Sequence, residues 1–145
     1  MIHQRLIDQR AIHLTPEQQV FVTERHLATL TTLRADGSPH VVPVGFTWDP
    51  DAGVVRITTN DSSIKRKNAE RPATDGAPPR AAVCQVDGGR WITLEGPVTV
   101  SREPEEIAEA VRRYARRYRE PAENPSRVVL VLTPDKVMSS GYMSR

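Results

Sequence analysis

Apolar and polar residues alternate in short runs along the first half of the chain, and turn residues separate these runs. Alternation with a period of two is typical of strands in an antiparallel sheet, because successive side chains point to opposite faces. The pattern predicts strands at residues 27–33, 40–48 and 54–59. Asp36 and Gly37 lie at the predicted tip of the first hairpin.

The second half of the chain combines the same pattern with one long helix. Strands are predicted at residues 81–86, 91–101 and 127–134, and the first two form a hairpin. In residues 102–120, the apolar positions recur at helical spacing, which predicts a helix with a single apolar stripe. The members of that stripe are Ile107, Val111, Tyr114 and Tyr118.

A short amphipathic helix is predicted near the start of the chain, within residues 15–26. Thr15 is a suitable cap, and Pro16 suits the first helical position because the N–H group that it lacks has no partner there. The spacing predicts that Val20 and Phe21 face inward.

The remaining segments connect these elements. Residues 62–71 are predicted to form a short helix with Ser62 or Ser63 as its cap. Residues 72–80 contain three prolines and a glycine and are predicted to be a loop, and residues 1–14 form an N-terminal extension. Six strands joined mostly by hairpins predict one domain over residues 1–145, mainly β (α+β), built as an antiparallel barrel with peripheral helices.

Composition excludes several classes of protein. The 145 residues include one cysteine, Cys84, which excludes an internal disulfide and a cysteine-based zinc site. No apolar run approaches ~18 residues and the N-terminus lacks a signal-peptide core, so we expect a cytoplasmic protein without a membrane partner. The net charge of +2 and the 5% of aromatic residues argue against nucleic acid as a partner.

The predicted short helix begins with an unusual concentration of positive charge, at Lys65, Arg66 and Lys67. Cations are disfavoured at helix N-termini, where the backbone dipoles already present positive charge. A bound anion such as phosphate removes the conflict. The alternative is a solvated basic turn, and the residues alone leave both interpretations open.

Strand two contains a second unusual feature, the sequence VVPVGF. Pro43 donates no hydrogen bond to a ladder and Gly45 has no side chain to pack. The segment is either a bulge or edge strand, or a stretch of bare backbone against which a flat ligand lies. In the second case Gly45→Val blocks ligand binding and leaves the fold intact.

No arrangement of side chains resembles a catalytic or metal site, because the four histidines are scattered without ligand spacing. An enzyme with this sequence therefore needs a cofactor for its chemistry. The long helix has glutamates at its start and five arginines from Arg112 to Arg119. These charges complement the helix macrodipole, and a role in holding an anionic group is the alternative.

Four segments, in this order, resemble the split β-barrel proteins of the pyridoxamine-5′-phosphate-oxidase-like superfamily. They are similar in particular to the actinobacterial flavin/deazaflavin oxidoreductases, in the group that contains F420-dependent biliverdin reductase. The resemblance extends from about Glu24 to Met138. The segments are ERHLATLTTLRADGSPHVVPVGFTWDP, ITTNDSSIKRKNAER, DGGRWITLEGPVTV and RRYARRYREPAENPSRVVLVL.

The resemblance implies a six-stranded split barrel of the FMN-binding type. It also implies a homodimer that transfers a hydride from reduced F420 to an unsaturated organic acceptor, for which a biliverdin-like compound is a candidate. The motif of Ser63, Lys65 and Asn68 would hold the cofactor phosphate, and Trp91 would reach the pocket of the partner subunit. The cofactor-binding residues that it implies are Pro43, Val44, Gly45, Thr59, Ser63, Ile64, Lys65, Arg66, Lys67, Asn68 and Trp91.

The resemblance leaves alternatives open. FMN in place of F420 would give an oxidase or reductase of the pyridoxamine-phosphate-oxidase type, and a protein that only binds F420 or haem would use the same barrel. The loop at residues 72–80 and the residues before the first helix depart from the family pattern on the substrate side.

Overall fold

A computed structural model describes residues 12–144. Within these residues the chain forms eight strands, and every pairing between them is antiparallel. Their order in the sheet is β2-β1-β5-β6-β7-β4-β3, with β8 on the side of β6. The strands are β1 (Ala28–Leu33), β2 (Pro39–Val44), β3 (Thr47–Asp49), β4 (Val54–Asn60), β5 (Arg80–Asp87), β6 (Arg90–Ser101), β7 (Arg127–Leu132) and β8 (Lys136–Ser139).

One helix precedes the first strand and two lie between strands, as the sequence predicts. The first, α1 (Pro16–Phe21), has a capping box in which Thr15 and Gln18 bond to each other's backbone N–H groups. The second, α2 (Ile64–Glu70), is capped by the Ser63 hydroxyl. The third is α3 (Pro104–Arg117), and a short 3-10 helix (Gly141–Ser144) follows β8.

Strand β6 joins the two halves of the sheet. Its first part pairs with β5 and β8, and its last part, from Val98 to Ser101, pairs with β7. The change of partner follows Gly96, where an added Cβ would collide with the backbone oxygen of Thr133. A long strand shared between two partly separate sheets is the arrangement expected of a split barrel.

The core lies between the inward faces of these sheets and is mostly aliphatic, as the low aromatic content requires. Leu30, Phe46, Ile57 and Leu94 are among its fully buried side chains. No helix within residues 12–144 is both long and apolar enough to cross a membrane.

The prediction of six strands is wrong by two. The predicted strand 40–48 is interrupted at Gly45 and Phe46 and becomes β2 and β3. The cause is α3, since the backbone N–H of Phe46 donates to the Tyr118 hydroxyl at 3.3 Å. The last predicted strand ends at Leu132, and β8 follows Pro134 as a separate strand of four residues.

Smaller corrections concern the N-terminal part of the chain. Val20 is 59% exposed, whereas Phe21 is buried as predicted. Of the predicted extension, residues 1–14, the first eleven residues lie outside the described part of the chain. Leu14 belongs to the core, and Ile12 packs against it.

Candidate cofactor site

The turn from β4 into α2 brings three of the predicted site residues together. The hydroxyl of Thr59 donates to Oγ of Ser63 at 2.9 Å, and the same Oγ accepts the backbone N–H of Arg66 at 3.2 Å. Ser63 is therefore both the helix cap and the centre of a small group of hydroxyls. Its own hydroxyl proton remains available to a ligand.

Lys65 is the unusual cation of this group. Its side chain is half-buried, and burial alone lowers the pKa of its ammonium group. No described carboxylate offsets this effect. A cation that loses water without gaining an anionic partner costs free energy, so an anion supplied from solution would stabilise it.

Arg66 differs from Lys65 because carboxylates of the chain already pair with it. It contacts Glu70 at 3.1 Å and Asp61 at 3.4 Å, and Arg102 binds the same two carboxylates at 2.8 Å. Lys67 is exposed and forms no ion pair within the described residues. The three cations therefore have three different environments.

Asn68 has a structural task. It is 3% exposed, and its amide Nδ2 donates to Oγ1 of Thr32 at 3.0 Å, which ties α2 to β1. Its Oδ1 accepts from Arg71 at 2.9 Å. Ile64, at the first position of the helix, is 54% exposed.

The strand-two residues divide between the two faces of the sheet. Pro43 is exposed, and Val44 is buried with the core. Gly45 lies against α3, where an added Cβ would be 3.0 Å from ring atoms of both Tyr114 and Tyr118. The close approach of the two tyrosines thus explains why residue 45 has no side chain. Pro43, two positions earlier, stays exposed.

Strand two and the α2 turn are connected through β1. The strand is interrupted at Gly45 and Phe46, so β2 pairs with β1 whereas β3 pairs with β4. Asn68 of α2 bonds to Thr32 of β1, and Thr32 pairs with His40 near the start of β2. That the end of β2 and the start of α2 flank one groove stays a prediction.

Trp91 lies away from this region within one chain. Trp91 pairs with Val86 at the tip of the β5–β6 hairpin, whereas Pro43 lies three strands away on β2. Three strand spacings correspond to roughly 14 Å. Two strands, β1 and β5, thus lie between them in the sheet. That Trp91 reaches the pocket of a partner subunit stays a prediction.

Trp91 and Pro43 do share one face of the sheet, which we call the outer sheet face. The strand pairings place its residues on the side opposite the core. Large apolar side chains lie on it beside polar ones such as Thr29, Thr93 and Glu95. Its exposed apolar residues are Leu27, Leu33, Val41, Pro43, Val86, Trp91 and Met138.

Comparison with known proteins identifies the family. The family model for pyridoxamine 5'-phosphate oxidase matches residues 14–140. The chain belongs to the pyridoxamine 5'-phosphate oxidase family. The chain is 46% identical over 127 residues to the F420H(2)-dependent biliverdin reductase of Mycobacterium tuberculosis. The aligned residues cover 88% of each chain.

Solved structures confirm the fold of this family member. The conserved hypothetical protein Rv2991 from Mycobacterium tuberculosis superposes with a TM-score of 0.74 at 21% identity, over 93% of this chain and 89% of that one. A structure described as an F420 reductase superposes with a TM-score of 0.64 at 23% identity, over 83% of this chain and 94% of that one.

Sequence reasoning missed two residues that shape this site in the pyridoxamine 5'-phosphate oxidase fold. The Tyr118 hydroxyl donates to the backbone oxygen of His26 at 2.7 Å, and Arg117 donates to the backbone oxygen of Phe46. Together they hold the break between β2 and β3. Both residues lie at the C-terminal end of an amphipathic helix, which the sequence predicts. The sequence does not show which distant backbone groups they contact.

Proposed function

We propose that the protein is an F420-dependent oxidoreductase that holds the cofactor phosphate at Lys65 and Ser63. Lys65 is half-buried and has no carboxylate partner among residues 12–144, and this observation carries the proposal. The 46% identity to a protein named F420H(2)-dependent biliverdin reductase supports the choice of cofactor.

The residues present fit a phosphate. Lys65 offers an ammonium group, and Thr59 and Ser63 offer hydroxyls 2.9 Å apart. A charge-assisted hydrogen bond from Lys65 contributes about 1.5–3 kcal/mol. Arg66 is engaged with Asp61 and Glu70 and therefore serves to order the turn.

The rest of the chain would position the ring and the acceptor. Reduced F420, when bound, supplies a hydride to an unsaturated organic acceptor. The exposed backbone near Pro43 would face the ring, with Val44 anchoring that strand in the core. None of these groups is an evident acid or base. They would therefore contribute by holding the cofactor and the acceptor close together in the right orientation.

A second copy of the chain would complete the site. The outer sheet face carries exposed apolar residues, among them Pro43 and Trp91. Burying such a face against its symmetry mate would bring the partner's Trp91 toward the strand that carries Pro43. The proposed active species is a homodimer with two equivalent sites.

Cofactor retention tests the proposal directly. Purified protein is incubated with F420 and, separately, with FMN, and the absorbance of the protein fraction is recorded after gel filtration. We expect retention of F420, followed by its reoxidation when biliverdin is added to the reduced form. Retention of FMN alone would reject the cofactor. Retention of F420 without turnover of biliverdin would reject this acceptor and leave the cofactor assignment intact.

A further inference from the structure

A cleft of about 390 Å³ lies between the tip of the β1–β2 hairpin and the loop that joins α2 to β5. Binding sites for drug-sized ligands usually have volumes of 300–1,000 Å³, so this cleft is large enough for a small organic molecule. Asn68 and Arg71 bring the C-terminal end of α2 into its lining. The cleft therefore lies at the opposite end of this helix from Lys65.

The loop wall of this cleft is fixed by backbone hydrogen bonds. The N–H of Ala73 donates to the backbone oxygen of Ala77 at 2.8 Å, which closes a turn within the loop. The N–H of Val98 on β6 donates to the backbone oxygen of Pro79 at 2.8 Å. The loop is thus tied to the sheet where it ends, and it forms a wall of defined shape.

Much of the lining is apolar. Leu33 is 50% exposed, whereas leucine is usually buried, and it lies in this cleft with three prolines of the loop. The prolines are Pro72, Pro78 and Pro79. A ligand that covers such a surface with an apolar group of its own removes both surfaces from water, which is favourable. The cleft therefore suits a ligand with an apolar part.

Arg71 is a half-buried cation of the lining that has unused hydrogen-bond donors. Its Nη1 donates to the backbone oxygen of Leu33 at 3.2 Å and to Oδ1 of Asn68 at 2.9 Å. A guanidinium has five N–H groups, and the three on Nε and Nη2 have no acceptor among residues 12–144. Neither nitrogen is one of the buried atoms that lack a partner, so both reach solvent-accessible space.

Arg34, near the hairpin tip, is bonded in the same partial way. Its Nη1 donates to Oγ of Ser38 at 3.4 Å and to the backbone oxygen of Pro39. Its side chain is exposed, and its Nε and Nη2 have no acceptor within the described part of the chain. The third arginine of the lining differs, because both terminal nitrogens of Arg80 bind Asp135, at 2.8 Å and 2.6 Å.

The cleft keeps positive charge that the described chain does not neutralise. The ion pairs of residues 12–144 include neither Arg34 nor Arg71. Asp75 lies in the lining and Asp36 lies at the hairpin tip. Each of these carboxylates accepts the backbone N–H of the residue two positions later, at 3.0 Å and 2.9 Å respectively. They therefore order their own turns.

We propose that this cleft binds a small organic acid. The Nε and Nη2 edge of a guanidinium presents two parallel N–H groups that match the two oxygens of a carboxylate, and Arg71 has this edge free. Arg34 would supply a second cation, and the apolar part of the acid would cover Leu33. The proposal is independent of the cofactor assignment, because it uses neither Lys65 nor Ser63.

Three probes separate charge from apolar contact. Protein labelled with nitrogen-15 is titrated with sodium benzoate, with benzyl alcohol and with sodium phosphate, while sodium chloride keeps the ionic strength constant. Benzyl alcohol has the ring without the charge, and phosphate has the charge without the ring. In assigned proton–nitrogen NMR spectra we expect benzoate to cause saturable shifts at the backbone amides of residues 33–37 and 73–77. The other two probes should bind at least tenfold more weakly.

Variants at the cleft identify the cation that binds. Arg71→Gln is expected to weaken benzoate binding about tenfold or more, because it removes a charge-assisted bond. Since Arg71 also bonds to the fold, Arg34→Gln gives a second test at an exposed side chain, and we expect a loss of several-fold. Arg116→Gln is the control for net charge, since Arg116 is exposed on α3 and does not line this cleft. Its affinity should stay within twofold of the wild type.

Each outcome decides the proposal. Saturation by benzoate that weakens in Arg71→Gln and Arg34→Gln supports it. Equal affinity for benzoate and benzyl alcohol would overturn it, because the arginines would then take no part. Phosphate that binds as tightly as benzoate, an equal loss in Arg116→Gln and Arg71→Gln, or no saturable shift in these two segments would overturn it as well. Lys65→Ala should leave the benzoate titration unchanged, so this test and the cofactor test fail independently.

Discussion

A Cβ atom added to Gly45 would lie 3.0 Å from Cε2 of Tyr118. Real Cβ atoms rarely come so close to another atom, so the tyrosine rings would have to move. The Tyr118 hydroxyl is fixed by its hydrogen bond to the backbone oxygen of His26 at 2.7 Å. The approach of α3 to the break between β2 and β3 therefore depends on a glycine at this position.

Gly45→Val should destabilise the protein. Overpacking of a close contact typically costs about 1–3 kcal/mol, which would appear as a lower midpoint in urea unfolding. The expectation from sequence that valine leaves the fold intact is thus replaced, because the contact with α3 was not visible in the strand pattern. Gly89→Ala is the control, since nothing lies within 4 Å of its added Cβ. Equal midpoints for Gly45→Val and the wild type would show that α3 shifts without cost.

Strands of alternating pattern could be predicted from the sequence because each has one buried face. The first strand is predicted at residues 27–33 and observed as Ala28–Leu33, and its alternation appears directly in the burial pattern. Strand β8 has only four residues and follows Pro134, so no periodicity distinguished it. The division of strand two depends on Tyr118, which is 72 residues away from Phe46.

The candidate site was predictable only in part, for a similar reason. An unusual run of cations marked the α2 turn, but three adjacent cations look alike in sequence. Their differences come from contacts with distant residues. Arg66 shares its carboxylates with Arg102, whereas Lys65 has no such partner in the described part of the chain. Asn68 likewise matches the motif, and its bond to Thr32 is set by the tertiary fold.

Asn68→Ala should lower stability whether or not a cofactor is present. It removes the bonds to Thr32 and Arg71, and an unsatisfied buried polar group costs about 1–3 kcal/mol. Lys67→Ala, on the exposed side of the same helix, should leave the unfolding midpoint nearly unchanged. Thermal unfolding without cofactor checks both. If Asn68→Ala keeps its stability and only loses F420, its amide contacts the phosphate directly.

Acid should weaken the contact between α2 and Arg102. Hydrogen bonds from Arg102, and then from Arg66, lower the pKa of Glu70 to about 2, well below its usual 4.5. A lowered folded-state pKa stabilises the protein fully above the unfolded value, and this stabilisation is lost as the pH falls from about 4.5 toward 2. Urea unfolding of wild type and Arg102→Ala should therefore show a difference at pH 6 that shrinks through this window. A difference independent of pH would contradict the assignment.

The outer sheet face should hold the dimer together. Val41 is 55% exposed on β2, at one edge of this face, and placing a charge in a buried apolar interface is costly. Val41→Glu should yield monomers in light scattering and should lose F420 binding at the same time. Val20→Glu is the control, because Val20 is 59% exposed on α1 and outside this face. A wild-type protein that is monomeric at micromolar concentration would contradict the homodimer.

Lys65 should contribute more to F420 affinity than any other cation of the α2 turn. Loss of one charge-assisted hydrogen bond, about 1.5–3 kcal/mol, corresponds to a 10- to 100-fold weaker affinity for Lys65→Ala. The stability of the cofactor-free protein should stay level or rise slightly, because the half-buried Lys65 has no anionic partner among the described residues. Lys67→Ala is the matched control, since it removes an exposed cation two positions along the same helix. The measurement is a titration of the three proteins with F420 at one ionic strength, because salt screens exposed charges more than half-buried ones. A solvated basic turn predicts equal affinities for wild type and Lys65→Ala, and that result would place the phosphate elsewhere.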